Sequence, residues 1–72
     1  MNGRKDKLTV REEQVLARIR KGLTNKQIAD ELGLSEKTVK AHVTSLLRGL
    51  GVSNRTQAAV SPRSEPAQAI AE

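Results

Sequence analysis

Residues 23–52 read LTNKQIADELGLSEKTVKAHVTSLLRGLGV, and this stretch decides the fold. Two segments with helical periodicity are separated here by a short Gly-Leu-Ser sequence. In the second segment apolar residues recur at steps of three and four, which places them on one face of a helix. They are Val39, Val43, Leu46, Leu47 and Leu50. The pattern predicts a short helix, a tight turn, and a longer helix (about Ser35–Leu50) with one buried face.

The opposite face of the longer helix differs in character. It carries Lys37, Lys40, Ala41, Thr44 and Arg48, so it presents cations, a hydroxyl and a methyl group but no carboxylate. A merely solvated face is the simpler interpretation, but the small residues between the cations would let the helix approach base edges closely. We therefore expect this helix to enter the DNA major groove. Lys40, Ala41 and Thr44 would lie nearest the bases, and Lys37 and Arg48 would bind phosphates.

Composition and charge limit the classes of function. The 72 residues suffice for one small domain, and a net charge of +5 favours polyanionic partners. The chain has no cysteine for a disulfide or a thiolate metal site, and no aromatic residue for stacking single-stranded bases. It also lacks an apolar run of bilayer length and the apolar core of a signal peptide. We expect a soluble, cytoplasmic protein without a membrane partner.

Start and stop signals predict an all-α, four-helix bundle-like domain with a central helix-turn-helix. Capping boxes are expected at Thr9–Glu12 and Thr24–Gln27, and single caps at Ser35 and at Asn54 or Ser53. The helices would end at Gly22, Gly33, Gly51 and before Pro62. The inward residues of the first two helices would be Val15, Leu16, Ile19, Ile28, Ala29 and Leu32.

The composition changes at both ends of the chain. Residues 1–7 are polar and mostly charged, which predicts a flexible arm or the stub of a linker. Residues 8–60 would form the helix-turn-helix domain. Residues 61–72 are small, polar and contain proline, which favours a disordered tail; a short helix over Ala67–Ala71 is the alternative.

Candidate residues for catalysis or metal binding are scarce. His42 is the only histidine, and no second ligand stands at a suitable spacing. At the border of the two faces it is better suited to hydrogen-bond a phosphate or a neighbouring backbone group. Glu12 and Glu13 are adjacent in sequence, so their side chains point in different directions on a helix and do not form a catalytic pair. We interpret them as capping and solubilising residues. We therefore predict no enzyme activity, no metal and no cofactor. Lys26 lies beside free amides in the first turn of the second helix, where a phosphate could dock; an exposed lysine without a role is the alternative.

From Leu8 to Ala59 the chain resembles the LuxR-type helix-turn-helix. This is the output domain of NarL- and FixJ-like response regulators and of quorum-sensing activators. The resemblance is carried by Leu8-Thr9, Arg11-Glu12, Val15-Leu16, Gly22 to Ala29, Leu32, Leu34-Ser35, Thr38-Val39-Lys40, His42, Leu50-Gly51-Val52, Asn54-Arg55 and Ala58. It implies that the chain is the DNA-binding part of a transcriptional regulator. It also implies that the third helix contacts bases in the major groove of double-stranded DNA.

The resemblance also assigns roles to individual positions. Base contacts are implied for Lys40, Ala41 and Thr44, and contacts with the sugar-phosphate backbone for Asn25, Lys26, Thr38 and His42. The fourth helix would pair two protomers through Ala58, Ala59 and Val60, a small surface that predicts a weak homodimer formed mainly on DNA. Gly49 stands where the family usually has lysine, which removes one candidate phosphate contact.

The sequence is also compatible with two other functions. Region 4 of an alternative sigma factor shares the IA--L-----TVK pattern and binds promoter DNA, but the Leu-Gly-Val-x-Asn-Arg sequence after the third helix favours the LuxR type. A protein-interaction module could dock an acidic partner on the basic face. For the LuxR type, RNA polymerase and a receiver or ligand-binding domain are further expected partners. The chain would be either an excised output domain or a short stand-alone regulator.

Overall fold

Four α-helices follow one another along the chain. In the computed structural model, which describes residues 8–61, they are α1 (Val10–Arg20), α2 (Asn25–Leu32), α3 (Glu36–Leu50) and α4 (Arg55–Val60). No strand occurs in this part of the chain. The predicted all-α, four-helix class is therefore confirmed. The predictions of an arm over residues 1–7 and of a disordered tail or a helix at Ala67–Ala71 lie outside the described residues.

The first two helices begin with reciprocal capping boxes, as predicted. At α1 the Thr9 hydroxyl accepts from the amide of Glu12 at 3.0 Å, and the Glu12 carboxylate accepts from the amide of Thr9 at 3.0 Å. At α2 Thr24 and Gln27 make the equivalent pair at 3.1 and 2.8 Å. Each box satisfies two backbone donors, which explains why α1 and α2 begin where they do.

The last two helices begin with single side-chain caps. The Ser35 hydroxyl accepts from the amide of Thr38 at 3.0 Å and caps α3. The Asn54 side chain accepts from the amide of Gln57 at 2.9 Å and caps α4. The fourth helix is therefore capped by Asn54 rather than by Ser53.

The turn between α2 and α3 has three residues and depends on Gly33. This glycine has a φ of 71°, in the left-handed region that L side chains rarely adopt. Its conformation lets the amides of Gly33 and Leu34 both reach the carbonyl of Ala29, the second at 2.9 Å. These hydrogen bonds end α2 at Gly33. The conformation of Gly33 therefore sets the direction of α3 relative to α2.

The core lies between α1, α2 and α3, with α4 packed mainly on α1. Its buried apolar residues are Leu8, Val15, Leu16, Ile19, Ile28, Ala29, Val39, Leu46 and Ala58. In α3 the side chains of Val39 and Leu46 are completely buried, while Val43, Leu47 and Leu50 pack half-buried beside them. The predicted apolar face of α3 is thus confirmed, and its opposite face points away from the core.

Polar contacts tie distant parts of the chain together. Glu12 is 8% exposed, and the second oxygen of its carboxylate accepts from the Ser45 hydroxyl at 2.5 Å, joining the start of α1 to α3. The interpretation of Glu12 as a solubilising residue is therefore wrong, because its carboxylate is buried between two helices. Arg18 and Glu31 form a partly exposed salt bridge of 2.8 Å between α1 and α2.

One prediction for α4 is also wrong. Ala58 was expected to contact a second protomer, but it is 0% exposed and belongs to the core of its own protomer. Its methyl group fills space where α4 packs on the other helices, so no second protomer can reach it. Ala59 is half-buried, and Val60 is 74% exposed. Of the predicted pairing residues, only Val60 presents a large apolar surface.

Candidate nucleic-acid interface

The outward face of α3 presents a continuous cationic and hydroxylic surface. All five residues predicted there are exposed: Lys37, Lys40, Ala41, Thr44 and Arg48. Steps of three or four residues lead from Lys37 to Lys40 and Ala41, from these to Thr44, and from Thr44 to Arg48, so the five side chains lie on one side of the 15-residue helix. The structure therefore brings the candidate base-reading residues of α3 together with Lys37 and Arg48, two of its candidate phosphate-binding residues.

The start of α3 adds a hydroxyl to this surface. The Ser35 hydroxyl donates to the Thr38 hydroxyl at 3.0 Å while it accepts from the Thr38 amide. Thr38 is exposed, and in this arrangement its own hydroxyl proton is available for an acceptor. A hydroxyl donor in the first turn of a helix suits a phosphate oxygen, because the helix dipole also favours an anion there.

The start of α2 holds the second group of predicted residues. Thr24 caps the amide of Gln27, while helix geometry leaves the amides of Asn25 and Lys26 without carbonyl partners. Lys26 is exposed beside these amides. Asn25 is half-buried, and its side-chain oxygen accepts from Arg55. Asn25 and Lys26 lie on a different helix from the α3 residues, but α2 packs directly against α3.

His42 lies at the border of the two faces of α3, as predicted. Its side chain is half-buried, whereas its neighbour Ala41 is exposed and Val43 packs against the core. Among residues 8–61 no group of His, Cys, Asp or Glu side chains is arranged to hold a metal ion. In the same part of the chain no helix is long and apolar enough to cross a membrane.

The structure reveals one residue of this surface that the sequence pattern did not assign. Arg55, the first residue of α4, donates one guanidinium nitrogen to the Asn25 side chain at 2.5 Å and another to the carbonyl of Leu23 at 2.6 Å. These partners lie 30 and 32 residues away in sequence. Arg55 formed part of the Asn-Arg motif after the third helix, but no local pattern indicated what its side chain contacts.

Two helices joined by a three-residue turn, with the second helix exposing a cationic face, define the class of helix-turn-helix DNA-binding domains. A profile described as "Bacterial regulatory proteins, luxR family" matches residues 6–61. The chain belongs to this family and is one of its DNA-binding domains. The match supports the LuxR-type interpretation, and nothing in it supports the sigma-factor alternative.

Individual relatives give the same result. The chain is 53% identical over 55 residues to the transcriptional regulatory protein LiaR of Bacillus subtilis, covering 76% of this chain and 26% of LiaR. It is 57% identical over 53 residues to the DNA-binding transcriptional activator DevR/DosR of Mycobacterium tuberculosis, covering 74% and 24%. With the transcriptional regulatory protein UhpA of Escherichia coli the identity is 50% over 58 residues, covering 81% and 30%. The chain thus matches less than a third of the length of each of these relatives.

Proposed function

We propose that this domain recognises a specific double-stranded DNA sequence by placing α3 in the major groove. The observation that carries this proposal is the exposed row of α3, which is cationic, has small side chains and contains no carboxylate beyond Glu36 in the first turn. On the opposite face Val39 and Leu46 are packed in the core, so the position of α3 in the domain is fixed. Such a helix can reach base edges without the domain having to rearrange.

The residues on this face divide by chemistry. Lys40 is the candidate donor to guanine O6 or N7, and the methyl group of Ala41 can pack on the methyl group of thymine. Thr44 is one turn further along the same face and can hydrogen-bond a base or a backbone oxygen. Contacts of these three side chains would determine which sequence is bound.

The phosphate contacts would come from both helices of the motif. The candidates are Asn25, Lys26, Lys37, Thr38, His42 and Arg48. On α3 the cations Lys37 and Arg48 stand at the two ends of the exposed row. On α2 the free amides and Lys26 would hold a phosphate at the helix start. These contacts would fix the register of α3 without selecting a base.

Pairing of two protomers is proposed to occur mainly on DNA. Val60 is 74% exposed and Ala59 is half-buried, so α4 offers only a small apolar contact. A contact of this size is too small to hold a stable dimer by itself. Bound side by side on one face of the duplex, two protomers would need half-sites about 10 base pairs apart.

The function of the whole protein is inferred from its relatives. Proteins named transcriptional regulators match this chain over the domain alone. We infer a regulator that acts on bacterial DNA in the cytoplasm, without enzyme activity, either as the output domain of a response regulator or as a short stand-alone protein. RNA polymerase and a receiver or ligand-binding domain are its proposed protein partners.

Two variants test the assignment of α3. Lys40→Ala should weaken binding to a selected duplex by about 1–3 kcal/mol and relax the preference at one base pair. Arg48→Ala should weaken binding to selected and scrambled duplexes by about the same factor, since a phosphate contact carries no sequence information. Fluorescence titrations of both variants against both duplexes measure these changes. Equal losses on the two duplexes for Lys40→Ala would contradict its role in reading a base.

A further inference from the structure

Arg55 bridges α4 and the start of α2. One guanidinium nitrogen donates to Oδ1 of Asn25 at 2.5 Å, and a second donates to the backbone oxygen of Leu23 at 2.6 Å. The Arg55 side chain is half-buried, so solvent competes only partly for these bonds. Together the two bonds fix the Asn25 side chain and the backbone just before α2 to the first residue of α4.

The chemistry of the two groups decides which way the Asn25 amide faces. A guanidinium group can only donate, so it must meet the oxygen of the amide and not its NH2 group. Among residues 8–61 the Asn25 Nδ2 atom has no hydrogen-bond partner, yet it is not among the buried atoms without one. It is therefore not fully buried, and it keeps its capacity to donate. If the amide were rotated by half a turn, an acceptor would face outward instead.

A phosphate group accepts hydrogen bonds and repels other acceptors. The orientation imposed by Arg55 is the one in which Asn25 can donate to a phosphate docked at the start of α2. We propose that Arg55 is a positioning residue for DNA binding, which holds the Asn25 side chain with its NH2 group toward the phosphate. This inference rests on the proposed DNA-binding function, and adds α4 to the parts of the fold that determine affinity.

A double-mutant cycle on the full 72-residue chain tests the proposal. Asn25→Ala and Arg55→Met are each expected to lower affinity for a selected duplex by roughly ten-fold, the effect of losing one charge-assisted hydrogen bond. The double variant should bind about as tightly as either single variant, because both changes remove the same contact. Thr56→Ala, an exposed neighbour in α4 without an assigned role, is the matched control and should bind like the wild type.

A third substitution separates positioning from a structural role. Asn25→Asp keeps the acceptor for Arg55, so the melting temperature should not fall, but it replaces the outward NH2 group by a carboxylate oxygen. Its affinity for DNA should therefore drop further than that of Asn25→Ala. A purely structural role of Arg55 predicts a different result: at a temperature where Arg55→Met is fully folded, this variant would bind DNA as tightly as the wild type. If Arg55→Met does not fold, the test rests on Asn25→Asp, which keeps the bond to Arg55 and is expected to bind DNA more weakly than the wild type.

The outcomes distinguish this inference from the proposed function. Additive losses from Arg55→Met and Asn25→Ala would show that Arg55 acts on DNA independently of Asn25, and would overturn the positioning role. An Asn25→Asp variant that binds as well as the wild type would also overturn it. If the wild-type chain binds no duplex specifically, the proposed function itself fails. If Lys40→Ala relaxes specificity while the cycle is additive, only the role of Arg55 fails.

Discussion

The exposed cations of this domain differ in what lies beside them. Lys21 is at the end of α1, where a positive charge favours the carbonyl pole of the helix. Lys26 is in the first turn of α2, where a positive charge is mildly unfavourable and unpaired amides are close by. The cost of this position for α2 is offset if a phosphate binds between the amides and the ammonium group. The two lysines therefore make a matched pair with different expected roles.

Lys26→Ala should weaken binding to selected and random duplexes by the same factor. It should also reduce the slope of log K against log salt concentration by about 1, because one fewer counterion is released. Lys21→Ala removes the same charge and should change the slope less. Titrations at several salt concentrations measure both slopes. Equal changes for the two variants would mean that Lys26 acts only through net charge.

At the scale of the element, α3 combines a buried row and an exposed row on one helix. Val39 and Leu46 are completely buried, and the cationic row lies on the opposite side. The rotation of α3 about its axis therefore decides both the stability of the domain and which residues can contact DNA. A substitution in the buried row tests this rotation directly.

Leu46→Ala should lower the free energy of unfolding by roughly 2–5 kcal/mol, because it leaves a cavity between α3 and the other helices. For a domain this small, that is a large part of a total stability of roughly 5 kcal/mol. Thr44→Ala, on the exposed side of the same helix, should change the melting temperature little. Thermal melts followed by circular dichroism measure both. An unchanged melting temperature for Leu46→Ala would show that Leu46 does not face the core and that α3 is rotated about its axis.

Local patterns were sufficient to predict most of the fold. Capping boxes, helix-ending glycines and the three-to-four-residue periodicity all act within one or two turns, so Thr9, Gly33 and Leu46 could be assigned from the sequence. The burial of Ala58 could not, because the six residues of α4 make fewer than two turns and show no clear period.

The candidate site also contains one part that the sequence could predict and one part that it could not. Its exposed row on α3 follows from periodicity, and the structure places all five side chains as expected. Contacts between residues far apart in sequence follow from packing and had no local signal. Arg55 reaches Asn25 across 30 residues, and Ser45 reaches Glu12 across 33.

At the scale of the whole molecule, two large apolar side chains are exposed within residues 8–61. Val60 ends α4 and is 74% exposed, and Val10 begins α1 and is 76% exposed. The proposed pairing surface includes Val60 but not Val10. The two valines therefore allow a comparison between a charge placed in the proposed contact and the same charge placed elsewhere.

Val60→Glu should abolish cooperative binding to two half-sites about 10 base pairs apart, while leaving binding to one half-site unchanged. Val10→Glu should leave cooperativity intact. Inserting half a helical turn of DNA between the half-sites should abolish cooperativity in the wild type, because the protomers then lie on opposite faces. Gel-shift titrations, with sedimentation for the free protein, measure these effects. A stable dimer without DNA, or cooperativity indifferent to spacing and to Val60→Glu, would place the pairing surface elsewhere.

The central claim, that the exposed face of α3 reads a DNA sequence, is tested most directly by selecting bound duplexes from a random library. The full chain and the Lys40→Ala variant are used in parallel, and the bound duplexes are sequenced after several rounds. We predict that the wild type enriches a defined motif, and that Lys40→Ala enriches the same motif with the preference lost at one base pair. No enriched motif for the wild type, or an unchanged motif for Lys40→Ala, would contradict the account.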